Sequence, residues 1–276
     1  MRKLKLITTI VTAMTALNLT AAHAEEVAPL FPLPFTPDFT RGSGWGIALG
    51  LGVEYETAYA GSDEYEFELD PAGAIQWRKG NHLFSWEGLE LSWTTRQKDQ
   101  WYIQVELGLD DGREEDDSDD GRLDGLDERD YEFTCTGEFR YSFDGEWRNY
   151  IGTRISVGDS DFGTLGFIFA GHRFGSRQDG GGTEVFLYAT FADSDNLNRD
   201  FGVSPSEATT SGLAETDLDS GYRSSGLRVV DRRFVSEHIQ IVSGLELEYY
   251  SSDVRDSPIA REDFAAEVEL AILYHF

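Results

Sequence analysis

The feature that most constrains the fold of this chain is a long alternation of apolar and polar residues. From Gly44 to the C-terminus the alternation has a period of two and runs through segments of about 10–14 residues. Between Trp45 and Tyr55 every second residue is apolar, and glycine, alanine or glutamate fills the positions between. A period of two places alternate side chains on opposite faces of a β-strand. The pattern therefore predicts an all-β protein.

Two architectures use such strands, a soluble sandwich and a transmembrane barrel. The segments are longer than the strands of soluble sheets and match the 9–11 or so residues of a tilted membrane strand. The chain also ends in an alternating strand that closes on Tyr274 and Phe276 and resembles the C-terminal sorting signal of bacterial outer-membrane proteins. We therefore predict a transmembrane antiparallel β-barrel. Aromatic residues at the segment ends fit the interfacial girdles of such barrels: Trp45, Tyr55, Tyr65, Trp77, Trp93, Trp101, Tyr250 and Tyr274.

The number of strands is predicted from the rule that it should be even. Bacterial barrels normally have an even number of strands, short periplasmic turns and longer outer loops. Eleven segments are clear, and the apolar register flips within 82–95, around Gly88. A flip marks a bulge or a break between two strands. The prediction is about twelve strands, with ten as the alternative, and the long connections 111–129, 194–220 and 251–263 lie outside.

The N-terminal region has the features of an export signal. Residues 1–24 combine a basic start, a short apolar stretch and the cleavage pattern Ala22-His23-Ala24, which predicts a cleaved signal peptide. Residues 25–43 are rich in proline and are expected to be a periplasmic lead-in, and 44–276 is expected to be the barrel. The protein is expected in the outer membrane of a Gram-negative bacterium, as a monomer among lipid and lipopolysaccharide.

The charge excludes one class of partner. The chain of 276 residues has a formal net charge of −28. A surface this acidic repels phosphate, so no nucleic-acid partner is expected. The single cysteine excludes an intramolecular disulfide framework.

Several short motifs resemble, in order, those of the MipA/OmpV family of outer-membrane proteins. They are Tyr59–Asp63, Gly112–Ser118 with Leu123–Leu126, Phe201–Ser204, Asp256–Pro258 and the ending Tyr274–Phe276. The resemblance implies a barrel in the outer membrane. It also implies a non-enzymatic scaffold, because members have been described as linking a lytic murein transglycosylase, MltA, to a penicillin-binding murein synthase. The resemblance supplies no catalytic residues.

The inward face of the predicted barrel is charged. Carboxylates outnumber guanidinium groups on it, so a water-filled lumen would prefer cations and make the protein a narrow, porin-like channel for small solutes. The other interpretation is a salt-bridged network that closes the barrel, and the residues leave both open. The predicted lumen-facing residues are Glu66, Glu68, Glu106, Glu138, Arg140, Arg148, Arg154, Glu267 and Glu269.

Few other residues suggest metal binding or catalysis. The acidic run 110–130 contains Asp116, Asp117, Asp119 and Asp120, oxygen donors that could bind divalent cations loosely, although a solvated outer loop is the favoured interpretation. No other cofactor is expected. An enzyme would need a histidine near a nucleophile, and His172 and His238 are the two candidates near strand ends. No spacing resembles a catalytic site, so no enzyme activity is predicted.

Overall fold

The computed structural model describes residues 44–276, apart from 71, 88, 98–99, 111–112, 114, 130, 146, 160–161 and 175–181, and apart from the side chains of residues 70, 96, 97 and 116. The predicted signal peptide 1–24 and the proline-rich segment 25–43 lie outside the described residues.

The described chain forms one closed antiparallel sheet, in which β1 pairs with both β2 and β3, each later strand pairs with the next, and the last pairs with β1. The strands are β1 (Gly44–Thr57), β2 (Tyr65–Asp70), β3 (Gly73–Lys79), β4 (His82–Glu87), β5 (Glu90–Gln97), β6 (Trp101–Asp110), β7 (Glu132–Ser142), β8 (Asn149–Val157), β9 (Thr164–Phe174), β10 (Gly182–Ala192), β11 (Gly221–Phe234), β12 (Ile239–Tyr250) and β13 (Phe264–His275).

The barrel has twelve spanning strands, because β2 and β3 are two halves of one strand. Both pair with β1 in a single continuous register, from Thr57 opposite Tyr65 to Gly44 opposite Arg78. The prediction of twelve strands is confirmed, and the alternative of ten is excluded. The register flip within 82–95 is a break between β4 and β5, as the parity argument required.

The outer wall of the barrel is apolar. Alternate residues along the strands point outward and are exposed, among them Leu51, Ile103, Ile155, Leu187 and Ile272. A continuous exposed apolar belt of this extent is the surface that a barrel presents to lipid. None of the helices in the described part of the chain is long and apolar enough to cross a membrane.

One member of the predicted aromatic girdle was placed wrongly. Tyr250 is buried and packs edge to face on Phe201, with ring centroids 5.7 Å apart. The C-terminal end of β12 carries Tyr250 on its inward face, where the long connections cover it, whereas its neighbour Tyr249 is exposed.

Long and short connections separate at the two ends of the barrel. We call the end with the connections 58–64, 111–131, 158–163, 193–220 and 251–263 the loop end, and the end with both termini of the sheet the turn end. Three short helices lie in the loops, α1 (Ser194–Phe201), α2 (Pro205–Ser211) and α3 (Ser252–Arg255), with a 3₁₀ turn over Glu115–Asp117.

The loops pack on one another and form a cap. One buried cluster joins Tyr59, Leu123, Leu126, Val203 and Ile259, which come from four different connections. Three of the family-like motifs, those around Tyr59, Leu123–Leu126 and Val203, therefore contribute residues to this packing. Their apolar residues hold the cap together across the mouth of the barrel.

Candidate functional site: the filled interior and the acidic mouth of the barrel

Aromatic side chains fill much of the barrel interior. One buried cluster contains Tyr102, Trp147, Tyr150, Phe169, Phe186, Tyr188, Val230, Val242 and Leu273, which belong to β6, to the turn before β8 and to β8–β13. Most of these strands are neighbours in the sheet, so the cluster follows the inner wall, and its members are at most 6% exposed. The cluster therefore fills much of the interior at this level and narrows any channel there.

The rings fit the interior because glycines face them on the neighbouring strand. Tyr150 lies opposite Gly171, and Tyr188 lies opposite Gly226. A Cβ atom added at either glycine would lie 2.3 Å from Cζ of the facing tyrosine ring. Each ring therefore covers the bare backbone of its partner strand, a packing that larger residues would prevent.

A buried ion pair sits among these rings. Arg140 Nε lies 2.5 Å from Glu138 Oε1, and the Arg140 side chain is only 1% exposed. The hydroxyl of Tyr102 donates a hydrogen bond to the same carboxylate, and the guanidinium carbon lies 5.0 Å from the centroid of the Tyr102 ring. The charges are satisfied locally, as burial in a low-dielectric interior requires.

A second network is short of positive charge. Arg228 Nη1 lies 2.6 Å from Glu246, and Nη2 lies 3.0 Å from Glu269 and 3.5 Å from Glu267. Carboxylate oxygens of Glu54, Glu267 and Glu269 lie within 4.8 Å of one another. One guanidinium thus faces four carboxylates, which repel one another unless protons or a cation are shared between them.

Above this network an acidic cavity opens beneath the cap. Its volume is about 360 Å³. Its described lining contains the guanidinium of Arg223 and seven carboxylates, two of which also contact Arg228 from below. The seven are Glu56, Glu66, Glu68, Asp117, Glu246, Glu248 and Glu267. The arrangement attracts cations and disfavours anions.

The cap is held over this cavity by an arginine-rich cluster around Asp200. Arg223 Nη1 lies 2.7 Å from Asp200 Oδ2, and Arg113 Nη1 donates to the Asp200 carbonyl oxygen at 2.9 Å. Burial alone raises the pKa of Asp200, but Arg223 and Arg199 outweigh it and hold this pKa below its ordinary value. Burial lowers the pKa of the Arg113 guanidinium.

A capping box fixes the next helix of the cap. The Ser204 hydroxyl accepts from the Glu207 backbone N–H at 3.2 Å, and the Ser204 backbone N–H donates to Glu207 Oε2 at 2.7 Å. Glu207 also accepts from the Asp127 backbone N–H at 3.1 Å, which ties two loops together. Burial raises the pKa of Glu207, but the hydrogen bonds from Ser204 and Asp127 dominate and lower it.

The structure distributes the expected lumen residues over different environments. Glu106 is buried and pairs with Arg154 at 2.9 Å. Glu66 and Glu68 line the acidic cavity. Arg148 differs from the rest, because it lies in the exposed turn before β8 begins and not on a strand.

The described carboxylates of the acidic loop do not come together as a ligand set. Asp120 Oδ1 accepts from Ser118 and from the Arg122 backbone N–H, and its other oxygen lies 3.3 Å from Arg261. Asp117 lines the acidic cavity, and Asp119 is exposed. The Asp116 side chain lies outside the described part of the structure. Among the described residues, the carboxylates that converge are instead Glu54, Glu267 and Glu269.

Both candidate histidines lie at the turn end. His172 Nδ1 is 2.8 Å from Asn149 Oδ1, and His238 Nδ1 is 2.9 Å from the His275 carbonyl oxygen. They occupy different hairpins of the barrel. Each forms a hydrogen bond to a neighbouring strand or turn, and this structural role accounts for the histidine without a catalytic one.

The sequence reasoning did not identify Arg228, the centre of the second network. The signal was available in β11, where Ser224, Arg228 and Arg232 recur at spacings of four and therefore share the inward face. The alternation of β11 alone does not show which of its two faces points inward, and the arginine is identified only once the barrel is closed.

Fold and interior together define a closed twelve-stranded barrel of outer-membrane type, with a filled lumen, an acidic mouth and a cap of packed loops. The family model described as "MltA-interacting protein MipA" matches residues 49–276. The chain belongs to this family, as the ordered motifs predicted.

Solved structures of outer-membrane barrels are similar in fold only. A bacterial polysaccharide outer membrane secretin has 12% identity and a TM-score of 0.49, over 83% of this chain and 98% of that one. LpxR from Salmonella typhimurium has 11% identity and a TM-score of 0.47, over 82% and 100%. The NanC porin has 8% identity and a TM-score of 0.44, over 82% and 98%. No curated protein matches the chain.

Proposed function

We propose that this protein is a non-enzymatic scaffold that holds a murein transglycosylase at the outer membrane. The family description names an interaction with MltA, and the proposal extends this interaction to the present chain. The observation that carries the proposal is the filled lumen, because a barrel occupied by aromatic rings and buried ion pairs serves better as an anchor than as a pore.

The docking surface in this proposal is the turn end. The expected orientation of such barrels places short turns and both termini in the periplasm, where murein enzymes act. Side-chain hydrogen bonds tie together the described residues of the turn between β7 and β8: Asp144 accepts from the backbone N–H groups of Arg148 and Asn149, and Ser142 accepts from those of Gly145 and Trp147. A preorganised surface loses little entropy on binding.

The location, the oligomeric state and the second partner belong to the same proposal. The barrel stands as a monomer in the outer membrane of a Gram-negative bacterium, with lipid and lipopolysaccharide around its apolar wall. A penicillin-binding murein synthase is the second partner, reached through the transglycosylase. His172 and His238 take no part in catalysis in this scheme, since each is engaged in a structural hydrogen bond.

A narrow cation-preferring channel is the second candidate. The observation in its favour is the acidic cavity, which would concentrate cations at the mouth. Conduction would require the aromatic cluster and the Arg140–Glu138 pair to move aside, so the scaffold is the better supported function.

Affinity capture tests the scaffold. Tagged protein is recovered from envelopes solubilised in a nonionic detergent, and the lytic transglycosylase is detected in the eluate. We expect recovery to fall when Glu237, in the exposed turn between β11 and β12, is changed by Glu237→Lys. The matched control is Glu215→Lys, at an exposed position of the loop 193–220, which should leave recovery unchanged. Deleting 25–43 tests whether the lead-in contributes. The absence of any murein enzyme from the wild-type eluate would refute the proposal.

A further inference from the structure

One arginine of the cap is buried without an ionic partner. Arg113, in the connection 111–131, is only 8% exposed. Its Nη1 donates to the carbonyl oxygen of Asp200 at 2.9 Å, and its buried Nη2 forms no hydrogen bond within the part of the chain that the structure describes. None of the described carboxylates forms an ion pair with it. Buried charges in proteins are normally paired, because a lone charge in a low-dielectric interior is costly. Arg113 therefore lacks the anionic partner that such a position requires.

Arg113 lines a cavity of about 240 Å³, which we call the arginine cavity. Two further arginines of its lining are already paired, since Arg199 Nη2 lies 2.6 Å from Asp110 Oδ1 and Arg223 Nη1 lies 2.7 Å from Asp200 Oδ2. Each of these pairs neutralises its own charges. Among the described guanidinium groups of this lining, Arg113 is therefore the one that can still bind an anionic group.

The arginine cavity adjoins the acidic cavity. Both are lined by the segment 58–60, by Asp117 and by Arg223. The segment contributes two alanines, whose side chains leave more space at this junction than larger residues would. The described charges differ across the junction: three guanidinium groups face three carboxylates in the arginine cavity, whereas one faces seven in the acidic cavity. A molecule that spans the junction therefore meets Arg113 at one end and an excess of negative charge at the other.

A ligand with a single kind of charge satisfies only one of the two cavities. A simple anion pairs with Arg113 but lies beside the seven carboxylates, which disfavour it. A simple cation is held by those carboxylates and leaves Arg113 unpaired. A molecule with one charge of each sign satisfies both sides, and a carboxylate suits the arginine because its two oxygens match the planar fork of the guanidinium.

We propose that the two cavities together bind a small zwitterion, a molecule with a carboxylate at one end and an ammonium group at the other, such as a short peptide or an ω-amino acid. The carboxylate lies against Arg113, and the ammonium group lies in the acidic cavity, where Glu66 and Glu68 are among its partners. The two cavities, of about 240 and 360 Å³, together reach the size of ligand pockets, which is about 300–1,000 Å³. Binding of this ligand does not depend on the proposed murein partner.

Glycine peptides test the inference. The mature protein, refolded in detergent micelles at neutral pH, is titrated in a calorimeter with three probes of one length. They are triglycine, triglycine amide, which lacks the carboxylate, and N-acetyl-triglycine, which lacks the ammonium group. The same three forms of pentaglycine cover a larger separation of the charged ends. We expect the unmodified peptide of at least one length to bind about tenfold more tightly than either modified form, or about 1.4 kcal/mol for each charged end.

Two variants locate the two ends of the ligand. Arg113→Gln should lower the affinity for the unmodified peptide about tenfold, to that of the amide, and leave the affinity for the amide unchanged. The unchanged affinity shows that the acidic cavity is still folded. Glu66→Gln/Glu68→Gln should lower the affinity for the unmodified peptide and leave that of the N-acetyl form unchanged. The matched control is Arg255→Gln, which removes a cap arginine that pairs with Asp263, and it should change none of these affinities.

A conservative variant separates ligand binding from support of the cap. Arg113→Lys keeps the positive charge and should keep part of the preference for the unmodified peptide over its amide. Equal affinities of the wild type for the unmodified peptide and its amide would overturn the inference, because the carboxylate would then have no partner. Equal affinities for the unmodified and N-acetyl forms, or no measurable binding of any probe, would overturn it as well. Loss of amide binding in Arg113→Gln would show that this arginine supports the cap and does not bind the ligand.

Discussion

Tyr150 on β8 and Gly171 on β9 lie directly opposite each other, and the tyrosine ring covers the glycine backbone inside the barrel. The same relationship joins Phe169 to Gly152 and Tyr188 to Gly226. These three pairs help to fill the lumen, because a flat ring on a bare strand leaves room for the next ring across the interior.

The ring-over-glycine packing predicts that Gly171→Ala destabilises the barrel. A Cβ at this position would lie 2.3 Å from the Tyr150 ring, so the ring and its contacts with Phe186 must shift. We expect a loss of about 1–3 kcal/mol in the free energy of unfolding, measured by urea titration of the refolded barrel. Gly137→Ala is the matched control, since a Cβ there has no neighbour within 4 Å. Equal losses in both variants would show that strand propensity, and not the ring, is responsible.

The sequence predicted the lipid-facing wall of this barrel far better than the contacts between its inward side chains and loops. Alternation such as that from Trp45 to Tyr55 identifies the lipid face. A period of two divides the side chains between two faces, and only the apolar face can contact lipid. It does not reveal which inward groups meet across the lumen. The alternation of β8 places Tyr150 on the inward face, but its contact with Gly171 depends on the register between two strands. The cap was missed as a packed unit because its loops have no period, and Val203 and Ile259 meet only in the folded chain.

The buried pair of Glu138 and Arg140 predicts a large effect of removing one partner. Arg140→Met leaves an uncompensated carboxylate among aromatic rings, and we expect a loss of about 3–5 kcal/mol in the free energy of unfolding. The double variant Glu138→Gln/Arg140→Met should recover much of this loss. Arg233→Ala, which breaks a partly exposed pair with Asp231, should cost about 0–1 kcal/mol. A double variant as unstable as the single one would show that packing of the arginine stem, and not its charge, is decisive.

The filled lumen predicts that the protein does not conduct. In a planar bilayer with a salt gradient, the correctly folded wild type should show no discrete conductance steps, because the aromatic cluster and its ion pair fill much of the interior. The result that would favour the channel is a set of discrete, cation-selective steps. In that case the charge reversal Glu267→Lys/Glu269→Lys should change the selectivity, since both carboxylates face Arg228 in the interior.

The loop cap is predicted to loosen in acid. The pKa values of Asp200 and Glu207 are held below their ordinary values of 3.8 and 4.5. A carboxylate with a lowered pKa in the folded state stabilises that state fully above its ordinary pKa, and the contribution is lost as the pH falls through the lowered value. Hydrogen exchange of α1 and α2 should therefore accelerate as the pH drops below about 4, after correction for the intrinsic rate, while exchange of β12 stays slow. Asp200→Asn should remove the part of this pH dependence that comes from Asp200. It should also accelerate hydrogen exchange of the cap at neutral pH, because Arg223 loses its charged partner. Cap exchange that is independent of pH would contradict the assignment of these two carboxylates as the groups that hold the loops together.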